Sequence, residues 1–204
     1  MAAPDEEKHD EFTNQQIKKF TTIAKSISNN FNYHIDKHIL NSNGIIRFSD
    51  AQFEMVRLGI GLYGVCSDVA TQKKLFPAST LKSKIAQIKY VKKGDTIGYG
   101  RQGIVSNDIT IATIPVGYAD GLSRKLGNGR WKMIVNDKNA PIIGSVCMDM
   151  VMIDITNIPC KEGDDAYIFS NDNPITEMAR CIGTIPYEIL TSYSPRVKRV
   201  FKYN

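Results

Sequence analysis

The feature that most constrains this chain is a change of texture near Ser67. From Leu81 onward, short apolar runs alternate with turn signals, the pattern of a β-domain. The candidate strands are Lys84–Lys92, Ile109–Val116, Lys132–Val135, Pro141–Cys147, Met150–Ile155 and Ala166–Phe169. Between them stand Lys93-Gly94-Asp95, Gly127-Asn128-Gly129, Asn136–Asn139, Glu162–Asp165 and Asn171–Pro174, all rich in turn formers. Strands this short predict a compact, mostly antiparallel barrel or sandwich. A helix is predicted at about Thr176–Ile182, with Met178, Ala179 and Ile182 turned inward, and a shorter one over Pro186–Ser192.

The part before Ser67 reads differently. Thr13 to Gln16 has the form of a capping box, and Ile17, Phe20, Ile23 or Ala24, and Ile27 follow at helical spacing. Asn29 and Asn30 end that helix. Tyr33–Leu40 mixes apolar and polar residues as a strand does, Asn41–Gly44 breaks it, and Ile60–Val65 is a second apolar run. The order of these runs predicts a parallel α/β unit. Residues 67–80 are a polar connection, the expected linker. About seventy residues hold only two or three βα units, whereas a closed (β/α) barrel needs eight strands and typically ~250 residues. The first part is therefore either a small layer on the β-domain or the later portion of something longer. Exposed apolar strand surface is expected on it.

Composition narrows the function classes. The chain has 204 residues, 42% hydrophobic and 23% charged, an ordinary globular balance. Its 26 Lys and Arg are dispersed and form no basic stripe with aromatics, so no nucleic-acid partner is expected. No apolar run approaches a membrane span. Met1–Asp10 is acidic and polar, unlike a signal or transit peptide, and the cytoplasm is the expected location. Cys66, Cys147, Cys160 and Cys181 are widely spaced, with no CxxC and no Cys/His cluster, so neither structural zinc nor a disulfide framework is expected.

Several short motifs could carry chemistry. In Lys92–Gly103, Tyr99 stands alone between Gly98 and Gly100, with no neighbouring side chain to crowd it. That suits a phenol that approaches a ligand; the alternative is a hairpin on which Tyr99 packs. His38 and Asn41-Ser42 end a predicted strand, where a serine with free backbone N–H groups can hold phosphate; the alternative is a plain turn. Arg57 precedes Gly59-Ile60-Gly61, a cation before a glycine-permitted backbone approach. Tyr118, Asp120 and Gly121 follow one strand, and Gly144–Met150 ends another. Tyr193–Arg199 closes the chain with several cations, either ligands or a solvated tail.

Taken together and in order, these runs resemble alanine racemase, the pyridoxal-phosphate enzyme family with a fold-type III barrel and a β-domain. The matching runs are HDEFTNQQI, HILNSNGIIRFSD, VRLGIGLYG, GDTIGYGRQG, TIPVGYADGLSR, APIIGSVCMDM and PYEILTSYSPRVKR. The resemblance implies an α+β chain: residues 1–67 as the last βα units of an incomplete (β/α)8 barrel, 68–80 as a linker, and 81–204 as the C-terminal β-domain. It implies pyridoxal 5'-phosphate as cofactor, alanine as substrate, D-alanine for peptidoglycan precursors as the role, and a homodimer sharing its sites. Tyr99 matches the catalytic tyrosine, one of two acid/base groups on opposite faces of the substrate. Arg57 matches the arginine facing the pyridine nitrogen, and His38 the histidine that buttresses it. Ser42, the backbone of Gly59 and Ile60, and Tyr193 match phosphate ligands. The Met148 backbone matches a substrate-carboxylate contact, and Tyr118 an entrance residue. In the family, the β-domain of one subunit lends Tyr99, Tyr118 and Met148 to the other subunit's cofactor.

Two departures stand out. The family's cofactor lysine lies in an early run like VKANAYGHG, and no lysine here stands in such a run. The family's substrate-holding arginine and tyrosine-orienting histidine would also lie upstream. The family often has an arginine where Ser145 stands, which alters the charge of the corridor to the site. The expectation is thus the C-terminal part of an alanine racemase, inactive in isolation. The competing readings are a non-catalytic dimerisation or interaction β-domain, and a related fold-type III racemase or decarboxylase.

Overall fold

The computed structural model describes residues 1–202, which form two compact units, Met1–Ala78 and one from Ser79 onward. The first unit is helices and turns. Helix α1 spans Asp10–Ser28 and α2 spans Ser42–Arg47. Helix α1 starts three residues before the expected capping box, because Thr13 is buried within it and its hydroxyl donates to the Ala3 carbonyl at 3.1 Å. Arg47 ties the leading segment down, donating to the Pro4 carbonyl at 2.9 Å and to Asp10 at 2.8 Å. The Asn41 side chain caps α2 by accepting from the Gly44 N–H at 3.0 Å.

The two strands expected here do not form. Tyr33–Leu40 runs extended, but its backbone carbonyls receive only Met55 N–H on Lys37, Arg57 N–H on Leu40 and the Met1 amine on Ile39. Three irregular bonds are not a ladder, and a strand exists only with its neighbour. Ile60–Val65 instead winds a 3-10 turn over Ile60–Tyr63. Gly64 stops that turn at φ 71°, where a Cβ would lie 2.0 Å from the Phe76 carbonyl oxygen. The expected linker carries helix α3, Val69–Gln72, capped by Asp68. Exposed apolar side chains are plentiful in this unit, but they sit on helices and turns rather than on strands: Ile23, Ile27, Leu58, Leu62 and Phe76, the last 86% exposed.

The second unit is built on an antiparallel sheet. Its strands are β1 (Leu81–Lys84), β2 (Gln87–Val91), β3 (Thr96–Ile97), β4 (Gly103–Ile104), β5 (Ile109–Ile114), β6 (Lys132–Val135), β7 (Lys138–Ile143), β8 (Val151–Asp154) and β9 (Asp165–Phe169). Seven of them align in the order β1-β9-β6-β7-β8-β5-β2, and β3 pairs with β4 as a separate hairpin. The single strand expected over Lys84–Lys92 is two strands, at opposite edges of that sheet. Only Ile85 and Ala86 join them: Ile85 N–H bonds the Asp164 carbonyl beside β9, and Ala86 N–H bonds Thr113 on β5. A two-residue step between edges requires the sheet to curl nearly shut.

Strand periodicity sorts the core. Ala112, Ile142 and Ile153 are paired across β5, β7 and β8 on one face, all fully buried. On the opposite face Ile111, Ile143 and Met152 meet Val91, Ile97 and Val105 beneath the β3–β4 hairpin. Two short helices, α4 (Ile175–Ile182) and α5 (Pro186–Ser192), follow the sheet. Helix α4 buries Ile175, Met178 and Ala179, while Ile182 is only half-buried. The Trp131 indole N–H donates to the Ile168 carbonyl at 2.9 Å, and the buried Asn173 amide donates to Lys132 and Ile168 carbonyls. The α+β architecture with a mostly-β second part is thus the one the sequence led us to expect.

Ile153→Ala should lower the unfolding free energy of the β-unit by about 2–5 kcal/mol, because the cavity lies where two neighbouring strands pack. Urea denaturation checks this, and a loss under about 1 kcal/mol would place Ile153 outside the core. In the first unit, Lys37 grips Glu54 through its ammonium at 2.6 Å and its backbone N–H at 3.0 Å. These bonds pull the Glu54 carboxyl from 4.5 down to about 2. The folded value is depressed, so the contribution of the clip is present above about pH 4.5 and fades as pH falls toward 2. An NMR titration of Glu54 with a midpoint near 4.5 would contradict it.

Candidate functional site

The β3–β4 hairpin places Tyr99 at its tip. Gly98 sits at φ 76° and ψ 178°, a conformation confined to glycine, and Gly100 at φ 67° is left-handed. The glycines therefore shape the backbone as well as clearing space. Tyr99 does not pack on the hairpin and is 79% exposed. Arg101 follows at φ 54° and donates from Nε to the Thr96 hydroxyl at 3.1 Å, which closes the neck of the loop. The base of the hairpin rests on the loop after β7: a Cβ on Gly144 would lie 2.9 Å from the Ile97 carbonyl oxygen, and one on Gly98 would lie 3.7 Å from the Ser145 nitrogen.

That same loop carries Met148. Tyr118 N–H donates to the Cys147 carbonyl and Ala119 N–H to the Met148 carbonyl, both at 3.0 Å. Gly117 makes this approach possible, since its Cβ would stand 2.2 Å from the Met148 oxygen. Among the described residues the Met148 N–H has no acceptor, while the N–H of Cys147 is taken by Met150. The β-unit thus brings the loops of Tyr99, Tyr118 and Met148 together. Tyr118 is 43% and Met148 53% exposed, so all three face outward from the unit.

Tyr193 follows α5. Its ring packs on Phe169 with centroids 6.0 Å apart, and its hydroxyl is buried with no hydrogen-bond partner. Burial pushes its phenol pKa up, so it remains a protonated donor. Beside it the C-terminal cations are not merely a solvated tail: Arg199 donates to the Tyr193 carbonyl at 3.0 Å, and Arg196 pairs with Asp149 and Asp120.

In the first unit, Ser42 Oγ is 2.8 Å from the Gly59 N–H and 3.2 Å from the Gly61 N–H, accepting from both. With both lone pairs engaged, the hydroxyl can only donate outward. Between the two glycines, the Ile60 N–H has no acceptor among the described residues. One hydroxyl donor beside one open N–H is a pattern that suits an anion. His38 and Arg57 are both exposed on the paired segments 37–40 and 55–57, and no hydrogen bond joins their side chains among the described residues. Gly61, Asp120, Asp149 and Arg196 stood within runs noted in the sequence but were given no role there. The glycine spacing G-I-G carried a signal for Gly61, whereas the ion pairs join residues up to 76 positions apart in number and carried none.

Gly117→Ala tests the central contact. Its Cβ meets backbone oxygens, which cannot swing aside. The substitution should destabilise the β-unit by about 1–3 kcal/mol. It should also shift the Ala119 amide resonance as its bond to Met148 lengthens. An unshifted resonance with unchanged stability would contradict the contact.

Comparison with known proteins agrees with this architecture. Residues 1–67 match the alanine racemase N-terminal domain, and residues 78–201 match the alanine racemase C-terminal domain. Alanine racemase 1 of Clostridium acetobutylicum is 40% identical over 98% of this chain and 53% of its own length. The alanine racemase of Clostridium difficile 630 in complex with cycloserine superposes with a TM-score of 0.88 at 35% identity, covering 97% of this chain and 53% of that one. The Bartonella henselae alanine racemase with covalently bound pyridoxal phosphate superposes with a TM-score of 0.85 at 30% identity, covering 98% of this chain and 54% of that one. The chain spans about half the length of the curated relatives it matches. The match runs through both units at this level of identity, so the chain belongs to the alanine racemase family.

Proposed function

We propose that this chain forms part of a pyridoxal-phosphate-dependent alanine racemase, with Tyr99 as one of its two acid/base groups. The observation that carries the reading is the hairpin tip: an exposed phenol on a glycine-framed turn, tied at its base to the loop of Met148. Racemisation removes a proton from one face of the α-carbon and returns one to the other, so it needs a base on each face. A phenol held on a rigid turn can serve one face only. The unpaired Met148 N–H suits one oxygen of the substrate carboxylate. Tyr118 narrows the approach beside it.

Residues of the first unit fit a phosphate monoester. Ser42 offers a hydroxyl already turned into a donor, and Ile60 an N–H without a partner. In the second unit, taken by itself, the Tyr193 hydroxyl is a buried donor lacking an acceptor. Pyridoxal phosphate, when bound, supplies the electron withdrawal that acidifies the α-hydrogen. Arg57 facing the pyridine nitrogen would keep that nitrogen unprotonated, because a guanidinium is too weak an acid to hand over its proton. His38, exposed beside it, would steady the guanidinium. Homodimerisation follows in this reading from the outward display of Tyr99, Tyr118 and Met148, which would complete the partner's site. The product, D-alanine, would enter cell-wall precursors in the cytoplasm.

Two experiments test this. The 204-residue chain, given pyridoxal phosphate and L-alanine, should yield no D-alanine above the cofactor-only background, and borohydride reduction should label no single lysine. One specifically labelled lysine together with D-alanine would mean that a lysine of this chain had taken the catalytic role. In a full-length hybrid, with this chain joined to the N-terminal portion of the Clostridium acetobutylicum relative, Tyr99→Phe should slow racemisation by roughly 10²–10⁴-fold while cofactor absorbance persists. Racemisation at the parent rate would remove Tyr99 from the mechanism.

A further inference from the structure

The unpaired Met148 N–H is useful only if it is aimed. On its N-terminal side the loop is pinned by backbone: Cys147 O and Met148 O accept from the Tyr118 and Ala119 N–H groups. On the C-terminal side the pin is a side chain, since Arg196 Nη2 donates to Asp149 Oδ1 at 2.8 Å. The same guanidinium reaches Asp120 Oδ1 from its Nε at 3.5 Å. Asp120 is the most enclosed of the three, and its other oxygen accepts the Gly117 N–H at 2.9 Å. Its backbone carbonyl accepts the Ser194 N–H at 3.1 Å. One arginine therefore joins the turn of Tyr118, the loop of Met148 and the segment that begins at Tyr193.

We propose that Arg196 is a positioning residue that, through Asp149, holds the Met148 N–H in line for the substrate carboxylate. The inference rests on the reading that this N–H meets that carboxylate. Arg196 spans two carboxylates with two different nitrogens, which its planar fork allows and a lysine ammonium does not. Its charge also separates them: without it, Asp120 and Asp149 face each other as like charges, and the mobile partner is the exposed one, Asp149. Removing the cation therefore pushes the loop away from the turn, and neutralising Asp149 relieves that push. A residue that merely filled space would show no such relief.

The test is a two-variant cycle in the full-length hybrid, with amide exchange followed in the 204-residue chain. Arg196→Gln should raise KM for alanine roughly 3–10-fold with kcat within about twofold, as expected for a loss of uniform substrate binding. Adding Asp149→Asn should bring KM at least halfway back on a logarithmic scale. In the chain itself, Arg196→Gln should speed hydrogen exchange of the Ala119 amide several-fold, with the amides of β5 unchanged, and the double variant should restore protection. Unchanged KM, a fall confined to kcat, or a double variant worse than Arg196→Gln would overturn the proposal. If the hybrid carrying the unaltered chain does not racemise alanine, the racemase reading fails separately, and unchanged Ala119 exchange in Arg196→Gln would still overturn the clamp.

Discussion

The closeness of Gly117 to the Met148 carbonyl is the constraint on which the rest of the β-unit's site depends. A backbone can come this near another only where no Cβ intervenes, and here the added atom would stand 2.2 Å from the oxygen. Because the turn and loop touch, two N–H groups can bond across at 3.0 Å. Those bonds use the acceptors of Cys147 and Met148 and leave the Met148 donor open. The Tyr99 hairpin leans on the same loop two residues before Val146, through Gly144. The shape of the candidate site in this unit is thus set by backbone packing, with side chains displayed on it. That arrangement gives precision at low entropic cost, since most of the ordering is already paid in forming the sheet.

The curl of the sheet is what brings these loops to one another. Strands β1 and β2 lie at opposite edges yet are two residues apart in the chain. The fully buried residues on one face and the cluster under the hairpin on the other keep that curl from opening. In the first unit a different economy holds. Its segments are fastened by side chains: Asn41 on Gly44, Glu54 on Lys37, and Ser42 on two glycine N–H groups. Polar clips of this kind order a short segment without a ladder, and they leave apolar side chains such as Leu62 and Phe76 exposed.

What the sequence disclosed depended on how local the cause was. The turn residues around Gly127–Gly129 and the Pro186–Ser192 helix are local, and both lie where the pattern put them. So does Tyr99, because its flanking glycines state their backbone demand in the sequence itself. The break between β1 and β2 was invisible, since no Gly, Pro, Asn or Asp marks a turn at Ile85 and Ala86 and only sheet order separates the strands. Tyr33–Leu40 has strand composition but no ladder to join, a matter of partners rather than propensity. Thr13 resembled a cap and is a buried helical residue, because Ala3 offers its hydroxyl an acceptor from ten residues away. The Asp120–Arg196–Asp149 clamp joins three motifs, each of which was noticed singly. Their contact arises only from the tertiary fold.

The central claim is that the Tyr99 phenol serves one face of the substrate and one only. Exchange of the α-hydrogen with deuterated water measures this, followed separately from L-alanine and from D-alanine in the full-length hybrid carrying Tyr99→Phe. If the two faces have separate bases, exchange is lost from one enantiomer and survives from the other. Equal exchange rates from both enantiomers, whether both intact or both abolished, would contradict the account.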